Sequence, residues 1–349
     1  MEGLYMPTDN PNPSITPATL QNELSSLENT IKNDIGLFKV QSANQWIEVA
    51  KTRPIPKMLF SEFWFEGELC ILFADTNLGK SILAVQIGDS ISKGEPMQGF
   101  KAETVAQKIL CFDFELSDKQ FETRYSKEYG QHYIFNTNFV RAEISTDAVL
   151  PEHYTNFEDY LNYSFEQAIK ETGAKVLIID NLTYLRNETE KAKDALPLMK
   201  HLKALKSKYG LSILALAHTP KRDLTKPITK NDLQGSKMLI NFCDSSFAIG
   251  ESTADNNLRY FKQIKQRNTE TIYDADNVCV CQISKPHNFL QFEFISYGTE
   301  REHLKQITEK DRTALIDKAK ELSQQGRTQR EISNELGISL GAVNKYLKK

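Results

Sequence analysis

The sequence predicts an α/β protein: a mostly parallel sheet flanked by helices, antiparallel strands along one edge, and a small all-α unit at the C-terminus. Three observations predict it. Between residues 68 and 217, short Val/Ile/Leu-rich runs, apolar on every face, alternate with stretches of helical spacing, as in strands buried on both sides by crossover helices. From residue 245 strand-like runs follow one another across turn-rich connections (GESTADNN, KPHN), which suits antiparallel additions. The last forty residues carry only helical patterns.

Taken in order, residues 1–35 hold four prolines, many Asn, Ser and Thr, and no basic residue before Lys32. That composition cannot bury a core, so a disordered acidic arm is expected, with a short helix near residues 20–31. Residues 44–65 follow as an adaptor whose Trp46, Ile47 and RPIPKMLFSEFWF run offer apolar anchors. Strands are expected at 68–73 (ELCILF), 108–114 (KILCFDF), 139–144, 175–179 (KVLII) and 212–217 (SILALA). Helices are expected at 81–92, where Ile82, Leu83, Val85 and Ile87 share a face, and at 117–128, where Ser117 and Gln120 form a capping box. Two more are expected at 157–172 and 194–209. The later strands are 245–249, 258–266, 278–282 and 289–297.

Composition narrows the function. The chain has 349 residues, 40% hydrophobic and 26% charged, and no stretch approaches the roughly 20 apolar residues of a membrane helix. The start, MEGLYMPTDNPNPS, has neither the basic nor the apolar region of a secretory signal. Cys70, Cys111, Cys243, Cys279 and Cys281 lie in apolar strand-like runs without metal-ligand spacing, as reduced core thiols do. A cytoplasmic protein with no membrane partner is expected. The net charge of -3 hides an asymmetry, since residues 310–349 carry nine Lys/Arg against five Asp/Glu. A basic tail on an acidic body suits local contact with nucleic acid.

The strongest motif is Ala74-Asp75-Thr76-Asn77-Leu78-Gly79-Lys80-Ser81, directly after an apolar strand and before an amphipathic helix. That is the context of a P-loop, whose backbone N–H groups cradle phosphates. Gly79 lets the chain approach them closely, Lys80 would reach the β- and γ-phosphates of a nucleotide, and the Ser81 hydroxyl would hold Mg²⁺. Ala74 stands where the general motif has glycine, which requires that residue to keep a negative φ. Asp180 closes the VLIID run, placed to hold Mg²⁺ through a water or to cap the segment after it. Asp113 and Glu115 end another strand. Glu115, just beyond it, is the better placed to orient or deprotonate a water, although both could simply cap the next helix. His218, after SILALA, would face the γ-phosphate. Beyond it the loop-like residues 219–237 contain Lys221, Arg222, Lys226, Lys230 and Lys237 against Asp223 and Asp232, a candidate grip on nucleic-acid phosphates or a solvated charge run. Lys265 and Arg267 close a later strand on one face, a pair able to reach a neighbouring subunit's γ-phosphate.

Together, LFADTNLGKS (72–81), FELSDKQFETR (114–124), VLIIDN (176–181), AHTPK (217–221), LQGSK (233–237) and KQIKQRN (262–268) resemble the RecA-like ATPases. The resemblance is to the branch of the plasmid replication helicase RepA and the DnaB-type hexameric helicases, catalogued as AAA_25-like domains. It implies a RecA-like P-loop NTPase core over residues 36–298, a hexamer, and ATP at subunit interfaces. It also implies roles: Lys80, Ser81 and Asp180 for nucleotide and Mg²⁺, Glu115 as catalytic glutamate, His218 as γ-phosphate sensor, and Lys265 and Arg267 as a finger in trans. Residues 219–237 would line a central channel for single-stranded DNA. No segment resembles a primase or a DnaB-type N-terminal domain.

After a linker at 299–309, residues 310–349 resemble a helix-turn-helix. Leu315, Ile316, Ala319 and Leu322 form one helical face, residues 329–336 and 339–347 form the pair about Gly337, and Ile332, Leu336, Ile338 and Val343 fall at buried positions. The last helix would present Leu340, Asn344, Lys345 and Lys348 to duplex DNA, unless the unit docks protein instead. The expected function is an ATP-driven motor on DNA, a helicase or helicase-like replication factor. An ATP-switched DNA-binding regulator, or a recombination mediator, would use the same residues.

Overall fold

The computed structural model describes residues 33–36, 38–145, 149–184, 195–220, 222–233, 236–306 and 309–348. The chain divides into two units, residues 1–55 and 56–349. In the first, the hairpin Asn33–Ile35/Phe38–Val40 precedes a helix, α1 (Ala43–Lys51), with a capping box between Ser42 and Gln45 and no buried residue. Most of the expected N-terminal arm lies outside the described residues.

The second unit is built on nine strands: β1 (Leu69–Ala74), β2 (Ile109–Asp113), β3 (Phe139–Ala142), β4 (Val176–Asp180), β5 (Ser212–His218), β6 (Ser245–Glu251), β7 (Leu258–Lys265), β8 (Val278–Ser284) and β9 (Gln291–Gly298). Their order is β9-β8-β7-β6-β1-β5-β4-β2-β3. The five pairs from β6 to β3 are parallel, and the three from β6 to β9 are antiparallel. The expected class, a mostly parallel sheet flanked by helices with antiparallel edge strands, is the one observed. One strand differs from expectation. β6, expected among the antiparallel edge strands, pairs parallel to β1, because helix α6 (Ser236–Phe242) first returns the chain to the start of the sheet, where Asp244 N donates to Leu69 O at 2.8 Å.

Alternation divides β1 residue by residue between two cores. Leu69, Ile71 and Phe73 join the layer of α4 (Phe157–Thr172) and α5 (Ala195–Tyr209), and Cys70, Leu72 and Ala74 join that of α2 (Lys80–Lys93). The same two-sided burial explains why these strands read as continuous apolar runs. Phe60, Phe63 and Trp64, at the end of the expected adaptor, are fully buried in the α2 layer. Helix α3 (Asp118–Arg124) starts at the Ser117–Gln120 capping box as expected but stops four residues short of the expected 128, because Ser126–Lys127 turns into a hairpin with Gln131–His132. All five cysteines are buried and free.

The expected linker is anchored at its start. Glu300, on the short helix Glu300–His303, is 1% exposed and accepts from Ile228 N at 2.6 Å, from the Tyr260 hydroxyl and from Lys262. Three helices follow: α7 (Glu309–Gln324), α8 (Gln329–Leu336) and α9 (Leu340–Leu347). Ala319, Leu322, Ile332 and Val343 form their core, with Leu336 and Ile338 packed against it. Gly337 takes φ +64° between the last two helices, and Ser333 Oγ donates to Ile338 O at 2.6 Å. Asn344 and Lys345 on α9, and Lys348 just past its end, are exposed, as expected.

Gly250 on β6 pairs directly with Tyr260 on β7, whose ring covers it so closely that a Cβ would lie 2.0 Å from Cζ. The ring cannot yield easily, since its hydroxyl is bound to buried Glu300. Gly250→Ala is therefore expected to destabilise the protein by about 1–3 kcal/mol through overpacking. A lower denaturant midpoint at unchanged slope would show it.

Candidate functional site

The P-loop occupies the carboxyl end of β1. Ala74 is the last strand residue and is buried, so its methyl is accommodated in extended backbone and no positive φ is required there. The turn is made instead by Asn77 (φ +63°) and Gly79 (φ +93°). Glycine is needed at 79 twice over, for its φ and because a Cβ would lie 2.7 Å from the Phe292 ring. Gly79 caps α2 without any side-chain hydrogen bond, so the first N–H groups of a 14-residue helix are left for an anion. Asp75, Thr76 and Leu78 complete the loop, with Thr76 N held by Asp75 Oδ1 at 2.7 Å. Lys80 folds over its own loop, donating to Ala74 O and Asp75 O, both at 3.0 Å. Burial lowers its pKa, while the nearby carboxylates of Asp180, Glu115 and Asp75 oppose the shift.

Asp180 ends β4 at 4% exposure. Burial pushes its carboxyl up to about 7, the Ser81 hydroxyl and Lys80 opposing and the Glu115 and Asp113 charges reinforcing. Its Oδ1 is buried without a hydrogen-bond partner. An orphaned carboxylate oxygen beside a serine hydroxyl is an oxygen donor set that fits Mg²⁺, which takes its remaining ligands from phosphates and water. Among the described residues no group of three or more His, Cys, Asp or Glu forms a metal cage.

Across from Asp180, Glu115 stands one residue beyond Phe114 on the segment leaving β2. Its Oε1 accepts from Asn181 Nδ2, and His218 Nε2, at the end of β5, lies 3.3 Å from the same oxygen and 3.0 Å from Asn181 Nδ2. His218 Nε2 accepts from the amide in the tautomer that leaves this nitrogen bare and donates to Glu115 when this nitrogen carries the hydrogen. The His218 contact is the main cause holding the Glu115 pKa below the usual carboxylate range, with Lys80 and Arg124 adding to it and burial opposing. In the sequence Asn181 stands only as the last residue of the VLIIDN run and carries no assigned role. Its Oδ1 caps the turn, accepting from Thr183 N at 2.8 Å and Tyr184 N at 3.2 Å, and its amide also joins Glu115 to His218. The only signal in the sequence is a second polar residue after Asp180.

The structure places the remaining candidates apart from this centre. Lys265 and Arg267 lie at the opposite end of the sheet, where Ser246 pairs with Lys265 and Ser245 with Cys70. Lys265 Nζ is taken up by Ile240 O and Cys243 O, at 2.5 and 2.7 Å, closing the end of α6. Arg267 makes a 3.3 Å contact with Asp244, which Lys206 also binds, and its side chain is half exposed. In the basic loop, Arg222 turns inward to Lys226 O and Asp232, and Lys226 Nζ reaches Gly337 O at 3.0 Å. Lys230 is exposed. Lys221, and the side chain of Lys237 on α6, lie outside the described residues. No helix among the described residues is long and apolar enough to cross a membrane.

Residues 38–223 match the family model AAA_25, described as an AAA domain. Among solved structures, the KaiC-like protein PH0186 from the hyperthermophilic archaeon Pyrococcus horikoshii OT3 is similar at 13% identity and a TM-score of 0.43, covering 66% of this chain and 91% of that one. No curated protein matches the chain in sequence.

A raised carboxyl pKa costs stability as pH rises. Below about 4, Asp180 is protonated in both folded and unfolded chains; above that, only the unfolded chain ionises freely, until the folded value near 7 is passed. Asp180→Asn removes this penalty. The nucleotide-free variant is expected to melt above the native protein at pH 8, with the gap opening between pH 4 and 7 and vanishing near pH 4, measured by thermal denaturation across pH.

Proposed function

The chain belongs to the AAA_25 family of AAA domains, and from that premise we propose that this RecA-like P-loop ATPase couples ATP hydrolysis to work on DNA, as a helicase or helicase-like replication factor. One observation carries the hydrolytic part: the P-loop, Asp180 and the Glu115–Asn181–His218 group converge at the carboxyl ends of four adjacent parallel strands. In open α/β sheets that edge is where ligands bind.

On nucleotide binding, Lys80 exchanges two loop carbonyls for the β- and γ-phosphates, and the uncapped turn of α2 receives the phosphate oxygens. Ser81 and Asp180 would hold Mg²⁺, which neutralises phosphate charge. Glu115, kept ionised by His218, accepts a hydrogen bond from the attacking water and orients it in line. His218 and Asn181, bound to the same carboxylate, lie where they would sense whether the γ-phosphate that this water attacks is present. His218 leads straight into the loop of residues 219–237, and Thr219 N is bonded to Ala74 O at 3.1 Å, so a change at the phosphate has a short mechanical route to the loop.

Arg267 supports an oligomeric site. β1 separates it from Lys80 by a strand of six residues, about 20 Å, so it cannot serve the phosphate on its own subunit. It would complete the site of a neighbouring copy in a ring, as the resemblance implies. Lys265, already engaged, would position the strand end rather than touch phosphate. For DNA, Lys230 and Lys226 on the loop, Asn344 and Lys345 on α9 and Lys348 just past its end are the exposed groups able to meet phosphates or bases. The Lys226–Gly337 contact joins that loop to the helical tail, which favours a second reading: an ATP-switched DNA-binding regulator that unwinds nothing.

Steady-state hydrolysis with no DNA, single-stranded DNA and duplex DNA separates the two readings. Lys80→Ala is expected to lower turnover by about 100-fold or more in every condition. Stimulation by single strands supports the motor, and stimulation by duplex alone, lost on removing residues 310–349, supports the regulator. A rate indifferent to Lys80→Ala would overturn both.

Mixing tests the trans role. Arg267→Ala and Lys80→Ala are each expected to be inactive, and a reassembled mixture to recover turnover that neither has alone. No recovery from a mixture shown to co-assemble would place Arg267 outside the site.

A further inference from the structure

We propose that Arg141 and Asp113 form a positioning pair for Glu115, an inference that rests on reading Glu115 as the residue that orients the attacking water. Glu115 is not on a strand. It belongs to the short segment Phe114–Leu116 between β2 and the Ser117 cap, which has no ladder of its own to hold it. A carboxylate that must orient a water within a few tenths of an ångström needs its backbone fixed.

The fixing is done by two side chains. Asp113, 5% exposed, divides its carboxylate: Oδ1 accepts from Glu115 N at 3.1 Å and Leu116 N at 3.0 Å, and Oδ2 accepts from Arg141 Nε at 3.0 Å. Arg141 Nη2 then donates to Leu116 O at 2.6 Å, so the segment is gripped on its N–H groups by one partner and on its carbonyl by the other. The guanidinium is itself held, 4.8 Å from the centroid of the Phe121 ring and 3.3 Å from Glu143. Arg141 lies on the edge strand β3, where it pairs with Cys111 two residues before Asp113. The guanidinium fork suits this double grip, because one edge pairs a carboxylate while another N–H reaches a carbonyl, which a lysine ammonium cannot do with the same rigidity. Phe114 N donates to Asp180 O at 2.8 Å, so the same segment is registered against the strand that carries the Mg²⁺ ligand.

The alternative is that Arg141 merely neutralises a buried aspartate. The two differ in what turnover reports. The test measures kcat, KM for Mg-ATP and melting temperature for the full chain and for Arg141→Ala, Arg141→Lys, Glu115→Gln and Glu115→Gln/Arg141→Ala. A positioning pair predicts that Arg141→Ala lowers kcat by about tenfold or more with KM within about twofold, and that the double variant is no slower than Glu115→Gln alone. Arg141→Lys keeps a cation beside Asp113 and is expected to restore the melting temperature while kcat stays low, so it decides the matter should Arg141→Ala not fold. Turnover in Arg141→Lys within about twofold of native, or losses that multiply in the double variant, would overturn the pairing. Native turnover in Glu115→Gln would overturn the reading of Glu115 itself, and is recognised from that variant alone.

Discussion

The chemistry of this protein depends on the register of four parallel strands. β5 lies between β1 and β4, and its pairing sets His218 opposite Ala74, while β4 sets Asp180 opposite Asp113 on β2. The P-loop, His218 and two carboxylates thus form one row along the sheet's carboxyl edge. A one-residue slip in any pair would turn its functional side chain into a core layer. Because the strands are buried on both faces, each slip would also exchange the apolar side chains of one core with those of the other, so the two cores that stabilise the sheet also hold the site in line.

That row concentrates negative charge, and the protein gives its three carboxylates different surroundings. Asp180 is buried with one oxygen unpartnered, and its pKa is raised to about 7. Glu115 is held below the usual range by His218. Asp113 is spent on backbone N–H groups and Arg141. Environment thus sets apart groups that are chemically alike, and the roles proposed for them, cation ligand, water-orienting base and structural clamp, follow that separation.

What the sequence makes legible follows how local each signal is. The P-loop is contiguous, and a run of residues between an apolar strand and a helix can be read without knowing any partner. Asp180, Glu115 and His218 are legible one step further out, as polar residues just past buried strands. Asn181 and Arg141 are not, because their roles exist only across strands: Asn181 is an ordinary turn cap until β5 and β2 are placed beside it, and Arg141 is an exposed-looking charge until β3 is paired with β2. Counting charges also misreads the loop beyond His218, since composition does not say that Arg222 turns inward. Similarly, alternation places Lys265 and Arg267 on one face but cannot show that the end of α6 takes the lysine.

The charge balance of the site bears on the proposed oligomeric reading. Three carboxylates lie near the phosphate cradle; Arg141 is committed to Asp113, while the charge of Lys80 acts on both Asp180 and Glu115 and that of Arg124 on Glu115. Adding the phosphates of ATP deepens the deficit, and a divalent ion held by Ser81 and Asp180 offsets only the part beside the β- and γ-oxygens. Charge that develops on the γ-phosphate during transfer would gain from a further cation beside Lys80. A half-exposed Arg267 at the opposite edge, tethered only by a 3.3 Å contact to an aspartate that Lys206 already satisfies, is cheap to redirect. On the proposed oligomeric reading, a second copy whose opposite edge faces the cradle would supply that cation, and hydrolysis would then depend on assembly.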